Sequence, residues 1–193
     1  EGCVDHIDGD FAFLVWDARE QAVFCARDRM GNKPFFWHWS GQCLVVASEP
    51  QAVWNQMSPS PALNEGMLSE YLAVHMLSMT ETLWEGLQRL APAHRMRVDA
   101  RGPRSQRYWS PDVHHRLELD SNEAYVEHYK AVLFDVVERL SASDHPLAYE
   151  VSGGLDSSAL FAVAGELQRQ GRLQAPAMAG YNLCFEGDVG ADE

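Results

Sequence analysis

Three features that mark large protein classes are scarce or missing in this 193-residue chain. No apolar run approaches 18 residues, so we expect no segment that spans a membrane. Basic side chains are few: 15 lysines and arginines stand against 28 acidic residues, which gives a formal net charge of -13. Such a surface repels a phosphate backbone, and nucleic acid is therefore not an expected partner.

Cysteine is also scarce, and its spacing excludes the common metal and redox motifs. No two cysteines form a CxxC pair, and no histidine–cysteine cluster has zinc spacing. We interpret all four as reduced thiols of a cytoplasmic protein, with Cys25 and Cys43 in the core because both lie within apolar runs. Cys3 is interpreted as an ordinary, partly buried thiol. The four stand at positions 3, 25, 43 and 184.

The two ends of the chain lack the usual signs of a complete protein. The sequence opens with EGCVDHIDGD, without an initiator Met, and it stops at GADE. We therefore expect a fragment of a longer protein. Its 46% content of hydrophobic residues is enough for one medium domain or two small ones.

The first third of the chain consists of short apolar segments separated by tight turns. In the turn RMGNKP, Gly31 and Asn32 tolerate positive φ and Pro34 fixes the exit. Four short strands with such connections predict an antiparallel sheet. The strands are DFAFLVWD (10–17), AVFCARD (22–28), FFWHW (35–39) and CLVVASE (43–49).

A helix and a hairpin are predicted next. Asn64 can cap a helix whose apolar face carries Leu68, Tyr71, Leu72 and Leu77. The segment 94–109 has the pattern of a hairpin that turns at ARGP.

The second half of the chain alternates between helix and strand. After the polar segment 110–120, Asp120 and Glu123 resemble a capping box at the start of a helix. A strand at 147–151, a helix ended by Gly171 and a strand at 180–187 form a βαβ unit, which implies a parallel sheet. Because the period changes near the polar segment, we predict two domains, 1–112 and 113–193. The faces of the two helices carry Tyr129, Val132, Leu133, Val136, Val137 and Leu140, and Leu160, Val163, Ala164 and Leu167.

The loop SGGLDSS, residues 152–158, stands between the strand and the helix of that unit. Gly153 and Gly154 allow several backbone N–H groups to point at one place, and the helix that follows adds its positive N-terminal end. The three serines supply hydroxyl groups for phosphate oxygens. Together these groups predict an anion site at the carboxyl edge of a parallel strand, where open α/β sheets bind ligands.

Asp156 indicates which anion the loop takes. A carboxylate would repel a bare phosphate, so its place in this loop favours Mg²⁺ between the two. The loop lacks the lysine of a kinase-type P-loop. We therefore expect a grip on the pyrophosphate of ATP, with attack of a carboxylate at the α-phosphate and formation of an acyl adenylate that an amine can attack.

The segment SDHPLAYEVSGGLDSSALFAVA resembles the ATP-pyrophosphatase loop of the class B asparagine synthetase family. Earlier segments are similar to the glutaminase-like domain of that family and to the stretch that leads into its synthetase domain. The resemblance runs over almost the whole chain in the family's order. The segments are GDFAFLVWD, ARDRMGNKPFFW, ASE (47–49), EYLA (70–73), TLWEGLQRLAPAH (82–94) and RYW (107–109).

This resemblance implies an α+β part followed by an α/β part. The first would be the C-terminal portion of an N-terminal-nucleophile (αββα) glutaminase-like domain, and the second the start of a parallel-sheet ATP-pyrophosphatase (PP-loop) domain. Cofactors would be ATP and Mg²⁺, with Asp156 on the metal. Leu183 and the backbone at Glu150 would flank the adenine, and the phosphates would be held by Ser152, Gly153, Gly154, Leu155, Asp156, Ser157 and Ser158.

The glutaminase nucleophile of the family is an N-terminal cysteine, a role that Cys3 cannot fill because two residues precede it. No catalytic residue is therefore assigned. Glu150 stands in a strand that the family usually keeps apolar, and APAH (91–94) stands where asparagine synthetases usually have Pro-Gly-His. Both features resemble the branch that contains lasso-peptide macrolactam cyclases, next to the β-lactam synthetases.

The sequence leaves three functions open. The first is an asparagine synthetase that acts on a small-molecule carboxylate with ammonia from glutamine. The second is a cyclase-like ligase that acts on a peptide carboxylate with an amine of the same substrate. The third is a module that binds a nucleotide without catalysis.

Overall fold

The computed structural model describes residues 2–182. The chain divides into two compact units, and the boundary in the sequence lies between His114 and His115. No helix among the described residues is long and apolar enough to cross a bilayer.

The first unit contains two antiparallel sheets rather than the single sheet predicted from the sequence. One sheet has the order β1-β2-β6-β7 and the other β4-β3-β5. The four predicted strands of the first third are all present, but the turn after β2 carries the chain from one sheet to the other. The strands are β1 (Ala12–Asp17), β2 (Ala22–Arg27), β3 (Phe36–Trp39), β4 (Leu44–Ala47), β5 (Gln88–Arg89), β6 (His94–Asp99) and β7 (Gly102–Arg107).

Three short helices complete the first unit. A 3-10 helix spans Gly2–Asp5, α1 spans Pro50–Trp54 and α2 spans Glu65–Leu72. The hairpin predicted at ARGP is formed by β6 and β7, which pair from His94↔Arg107 to Asp99↔Gly102.

The core of the first unit joins residues from both sheets. Because side chains alternate along a strand, Cys25 of β2 and Met96 and Val98 of β6 share one face of the first sheet. They form one apolar cluster with Phe35 and Leu90, against which aromatic and aliphatic side chains of β3 and β4 pack. The packed side chains of these two strands are Trp37, Trp39, Leu44 and Val46.

The burial of the cysteines depends on their place in the strands and not on the apolar runs of the sequence. Cys25 is buried, and desolvation raises the pKa of its thiol to about 12. Cys43 is exposed, so its predicted place in the core is wrong: it lies in the turn just before β4, and not within the strand. Cys3 is also exposed and not partly buried.

Helix α2 begins as predicted but ends earlier. The side-chain oxygen of Asn64 accepts a hydrogen bond from the N–H of Met67 at 3.1 Å, which caps the first turn. The buried residue of this helix is Met67, whereas Tyr71 and Leu72 are exposed and Leu77 lies beyond the last turn. The predicted apolar face is therefore wrong for these three residues, whereas Leu68 is half-buried.

Arg27 and Asp28 hold together the turn between the sheets. The Arg27 guanidinium donates hydrogen bonds to the backbone carbonyls of Lys33 and Leu90, each at 2.7 Å. The Asp28 carboxylate is buried and accepts from the N–H groups of Met30, Asn32 and Lys33. Both side chains thus satisfy backbone groups that the turn leaves without strand partners.

The second unit contains two helices and a parallel pair of strands. These are α3 (Asn122–Leu140), β8 (Leu147–Glu150), α4 (Leu155–Arg169) and β9 (Met178–Tyr181). β8 and β9 pair in parallel, as the predicted βαβ unit requires. Gly171 follows the last turn of α4 with a φ of 68°, in agreement with its predicted role as a helix end.

The cap of α3 differs from the prediction. Ser121, and not Asp120, is the N-cap residue, and its hydroxyl accepts from the N–H of Ala124 at 3.2 Å. The predicted apolar face of this helix is only partly covered in the described part of the chain: Val137 is buried with Ala164 and Leu167 of α4, while Tyr129 and Leu140 are exposed.

We expect Asp28→Ala to destabilise the first unit by about 2 kcal/mol, because three backbone N–H groups would lose a buried acceptor. The matched control is Asp17→Ala, which removes an exposed carboxylate that also accepts from two backbone N–H groups and should cost less than about 1 kcal/mol. Urea unfolding measures both. Equal effects of the two substitutions would contradict this role of Asp28.

The same residue predicts a pH dependence. Burial by itself raises the pKa of Asp28, but hydrogen bonds from the N–H groups of Lys33, Asn32, Gly31 and Met30 outweigh burial and hold this pKa below its ordinary value. Stability from Asp28 is then fully present above the pKa of the unfolded carboxyl and is lost as pH falls through the lowered pKa. The difference in unfolding free energy between wild type and Asp28→Asn should shrink on acidification.

Candidate functional site

The candidate site lies where the parallel strands β8 and β9 end. Pairing runs from Leu147↔Met178 to Glu150↔Tyr181, and the N–H of Val151 donates to the carbonyl of Tyr181 at 2.8 Å. The chain leaves the sheet immediately after this bond and enters the loop 152–158. The loop therefore occupies the carboxyl edge of a parallel pair, the position at which open α/β sheets bind ligands.

Two glycines turn the chain from the strand into α4. Gly153 has a φ of 91°, which lies in the region that favours glycine. Gly154 is the N-cap residue of α4, and no side chain caps this helix end. The first N–H groups of an α-helix have no partner within the helix, so the uncapped end of α4 presents donors and the positive end of its dipole.

Two of the three serines form a small hydrogen-bonded network in the loop. The N–H of Ser152 donates to the Ser157 hydroxyl at 3.2 Å, and the two hydroxyl oxygens lie 3.1 Å apart. The N–H of Gly154 donates to the Ser152 hydroxyl at 3.3 Å. Phosphate oxygens could accept from these same groups, so the network marks where an anion would be held. Ser158 lies one residue further along the first turn of α4.

Asp156 lies in the first turn of α4 with an exposed carboxylate. No cluster of three or more metal-binding side chains occurs within residues 2–182. The phosphate oxygens of a nucleotide could share a divalent cation with this carboxylate. The donor chemistry of Asp156 fits Mg²⁺ in this way.

The other predicted nucleotide contacts that the structure describes are both exposed. Glu150 is exposed at the end of β8, and Leu155 is 86% exposed at the start of α4. Leu183 lies outside the described residues. Tyr181 was not singled out from the sequence, yet it stands opposite Glu150 and its side chain is exposed beside the loop. The parallel register, which the βαβ pattern implies, is the signal that could have identified it.

Cys3 lies in the 3-10 helix of the first unit, where it is exposed. The acidic segment 5–10 does not form a metal cluster in the part of the chain that is described. Asp10 instead accepts a hydrogen bond from the Asn32 side chain at 2.8 Å.

Two known family models match this chain, one in each of the two units. Residues 1–109 match the model of a glutamine amidotransferase domain, and residues 128–192 match that of asparagine synthase.

Curated relatives match most of the chain but are much longer. The glutamine-hydrolysing asparagine synthetase 3 of Bacillus subtilis is 34% identical over 89% of this chain and 28% of its own length. A putative glutamine-hydrolysing asparagine synthetase 2 of Methanocaldococcus jannaschii is 27% identical over 96% of this chain and 35% of its own. The amidase chyE of Penicillium rubens is 28% identical over 98% of this chain and 29% of its own. The chain thus spans about a third of the length of these relatives.

We expect Gly153→Ala to destabilise the second unit by about 1 kcal/mol, because a Cβ is unfavourable at a positive φ. The control is Gly165→Ala in α4, where a Cβ would meet no atom within 4 Å and alanine favours the helix. Thermal unfolding should show a lower midpoint for Gly153→Ala and an unchanged or higher one for Gly165→Ala. A Gly153→Ala variant as stable as wild type would contradict the preference for glycine at this positive φ.

Proposed function

Because the chain belongs to the glutamine-hydrolysing asparagine synthetase family, we propose that it carries the nucleotide-binding loop of an ATP-dependent carbon–nitrogen ligase. The reaction joins a carboxylate to an amine as an amide. The single observation that carries this proposal is the glycine–serine loop at the carboxyl edge of the parallel pair, within the residues that match asparagine synthase. We assign the second unit to the start of a PP-loop domain on the same grounds.

In the proposed reaction, the loop grips the β- and γ-phosphates of ATP. The N–H groups and hydroxyls around Ser152, Gly154 and Ser157 hold the phosphate oxygens, and the end of α4 favours their negative charge. Asp156 would hold Mg²⁺, which would neutralise charge on the departing pyrophosphate. These residues of the chain would thus stabilise the leaving group.

The chemistry proceeds in two displacements. A carboxylate oxygen forms a bond to the α-phosphorus as the bond to the bridging oxygen of pyrophosphate breaks. The amine nitrogen then attacks the acyl carbon of the adenylate, loses a proton, and displaces AMP. Pyrophosphate leaves before the amine attacks, so a grip centred on pyrophosphate serves the first step.

We propose ammonia from glutamine as the amine. Its support is the match of residues 1–109 to a glutamine amidotransferase domain. The alanine of APAH, Ala93, has a φ of 56° and so adopts the backbone region that a glycine would favour. The same turn is therefore compatible with the Pro-Gly-His of asparagine synthetases, which supports the proposal.

We expect Asp156→Asn to weaken Mg²⁺-dependent ATP binding at least about tenfold, because the amide removes the charge that holds the cation. The control is Asp144→Asn, which removes an exposed carboxylate from the segment between α3 and β8 and should leave binding unchanged. Calorimetric titration with ATP, with and without Mg²⁺, measures the effect. An unchanged Mg²⁺ requirement in Asp156→Asn would refute its role as the metal ligand.

Exchange of pyrophosphate into ATP tests the chemical step. The longest natural polypeptide that contains this chain should catalyse carboxylate-dependent exchange, and glutamine should support amide formation in place of free ammonia. Binding of Mg·ATP without any exchange in that polypeptide would favour a nucleotide-binding module over a ligase. Amide formation that ignores both glutamine and ammonia would favour an amine supplied by the substrate.

A further inference from the structure

We propose that Gly180 of β9 is a positioning residue for the nucleotide loop, acting through Phe161 of α4. This inference rests on the proposed function, because the loop that it positions is the proposed ATP site. The observation behind it is the closeness of the helix to the strand at this one point. A Cβ built on Gly180 would lie 3.0 Å from Cζ of Phe161 and 3.2 Å from Cε2 of the same ring.

The Phe161 ring also contacts a neighbouring aromatic ring. Its edge packs against Tyr149 of β8, with ring centroids 5.7 Å apart and planes at 62°. Tyr149 stands directly opposite Gly180 in the parallel register. The ring therefore lies over two neighbouring strands, on Tyr149 and on the space that the missing side chain of Gly180 leaves.

A displacement at Phe161 reaches the loop along one face of α4. Ser157 precedes Phe161 by four residues, and residues four apart lie above one another on a helix. Ser157 is the residue whose hydroxyl lies 3.1 Å from that of Ser152. Moving the helix away from β9 at Phe161 would therefore separate the two hydroxyls between which the loop is held.

The rest of α4 acts as the fixed end. Ala164 and Leu167 are fully buried and pack with Val137 of α3. In contrast, Leu155 and Leu160, which precede Phe161, are exposed. Phe161 lies about 9 Å along the axis from the first residue of the helix. A push at this ring would tilt the half of the helix that carries the loop, since the buried half resists movement.

The test compares Mg·ATP affinity in variants of the whole 193-residue chain. Gly180→Ala should weaken binding about tenfold, because displacing a binding group by a fraction of an ångström is costly in a preformed site. Its thermal midpoint should change little, because the strain of the displaced ring is offset by the removal of a glycine from a strand. Phe161→Leu replaces the ring by a smaller side chain. When it is combined with Gly180→Ala, the affinity should return to within about twofold of wild type.

Gly165→Ala is the matched control, because it adds the same methyl group to α4 where a Cβ meets nothing within 4 Å. It should leave the affinity unchanged. A folded Gly180→Ala variant that binds as tightly as wild type would overturn the inference, as would a double variant that binds no better than Gly180→Ala. A loss of affinity that tracks a loss of thermal stability would also overturn it, since it would indicate a structural role only.

Amide hydrogen exchange separates this inference from the proposed function. Without nucleotide, Gly180→Ala should speed exchange at residues 152–158 relative to wild type and Gly165→Ala. If wild type binds no Mg·ATP, the proposed function fails, but faster exchange still supports the link from Gly180 to the loop. If wild type binds Mg·ATP and exchange in the loop is unchanged by Gly180→Ala, the inference fails alone.

Discussion

The parallel pairing of β8 and β9 is the constraint on which the candidate site depends. The pairing continues through the hydrogen bond from Val151 to Tyr181, and the loop starts at the next residue. This bond fixes the direction in which the chain leaves the sheet. Gly153 then reverses the backbone, so that α4 packs back on the same two strands with its uncapped end beside their carboxyl edge. The proposed anion site rests on this geometry and on backbone and hydroxyl groups, since the loop contains no basic side chain.

The loop contains a hydrogen-bonded network and one acidic side chain. Hydroxyl and N–H groups of Ser152, Gly154 and Ser157 bond to one another within the loop. The same groups can turn to phosphate oxygens at little cost, because one oxygen acceptor replaces another. In the proposed function, the charge of Asp156 would favour a nucleotide with its cation over a bare anion.

The two units are stabilised in different ways. The first unit has an apolar core between two sheets, and a buried carboxylate and a guanidinium satisfy the backbone of the turn that connects them. The second unit has a smaller core of Val137, Ala164 and Leu167, around which many apolar side chains stay exposed in the described residues. Ion pairing between Arg172 and Glu138 links the end of α4 to α3. Within residues 2–182, this core contacts the C-terminal half of α4, and we propose that the strand contact at Phe161 positions the N-terminal half.

The order of the elements, the hairpin, the βαβ unit and the loop between strand and helix could all be predicted, because they depend on periodicity and on the chemistry of neighbouring residues. The family could also be recognised, through motifs that stand close together in the chain. Which strands share a sheet, which face of α2 and α3 is buried, and the exposure of Cys43 could not be predicted. These outcomes depend on partners that are distant in sequence, as does the contact between Gly180 and Phe161, which no local pattern contains.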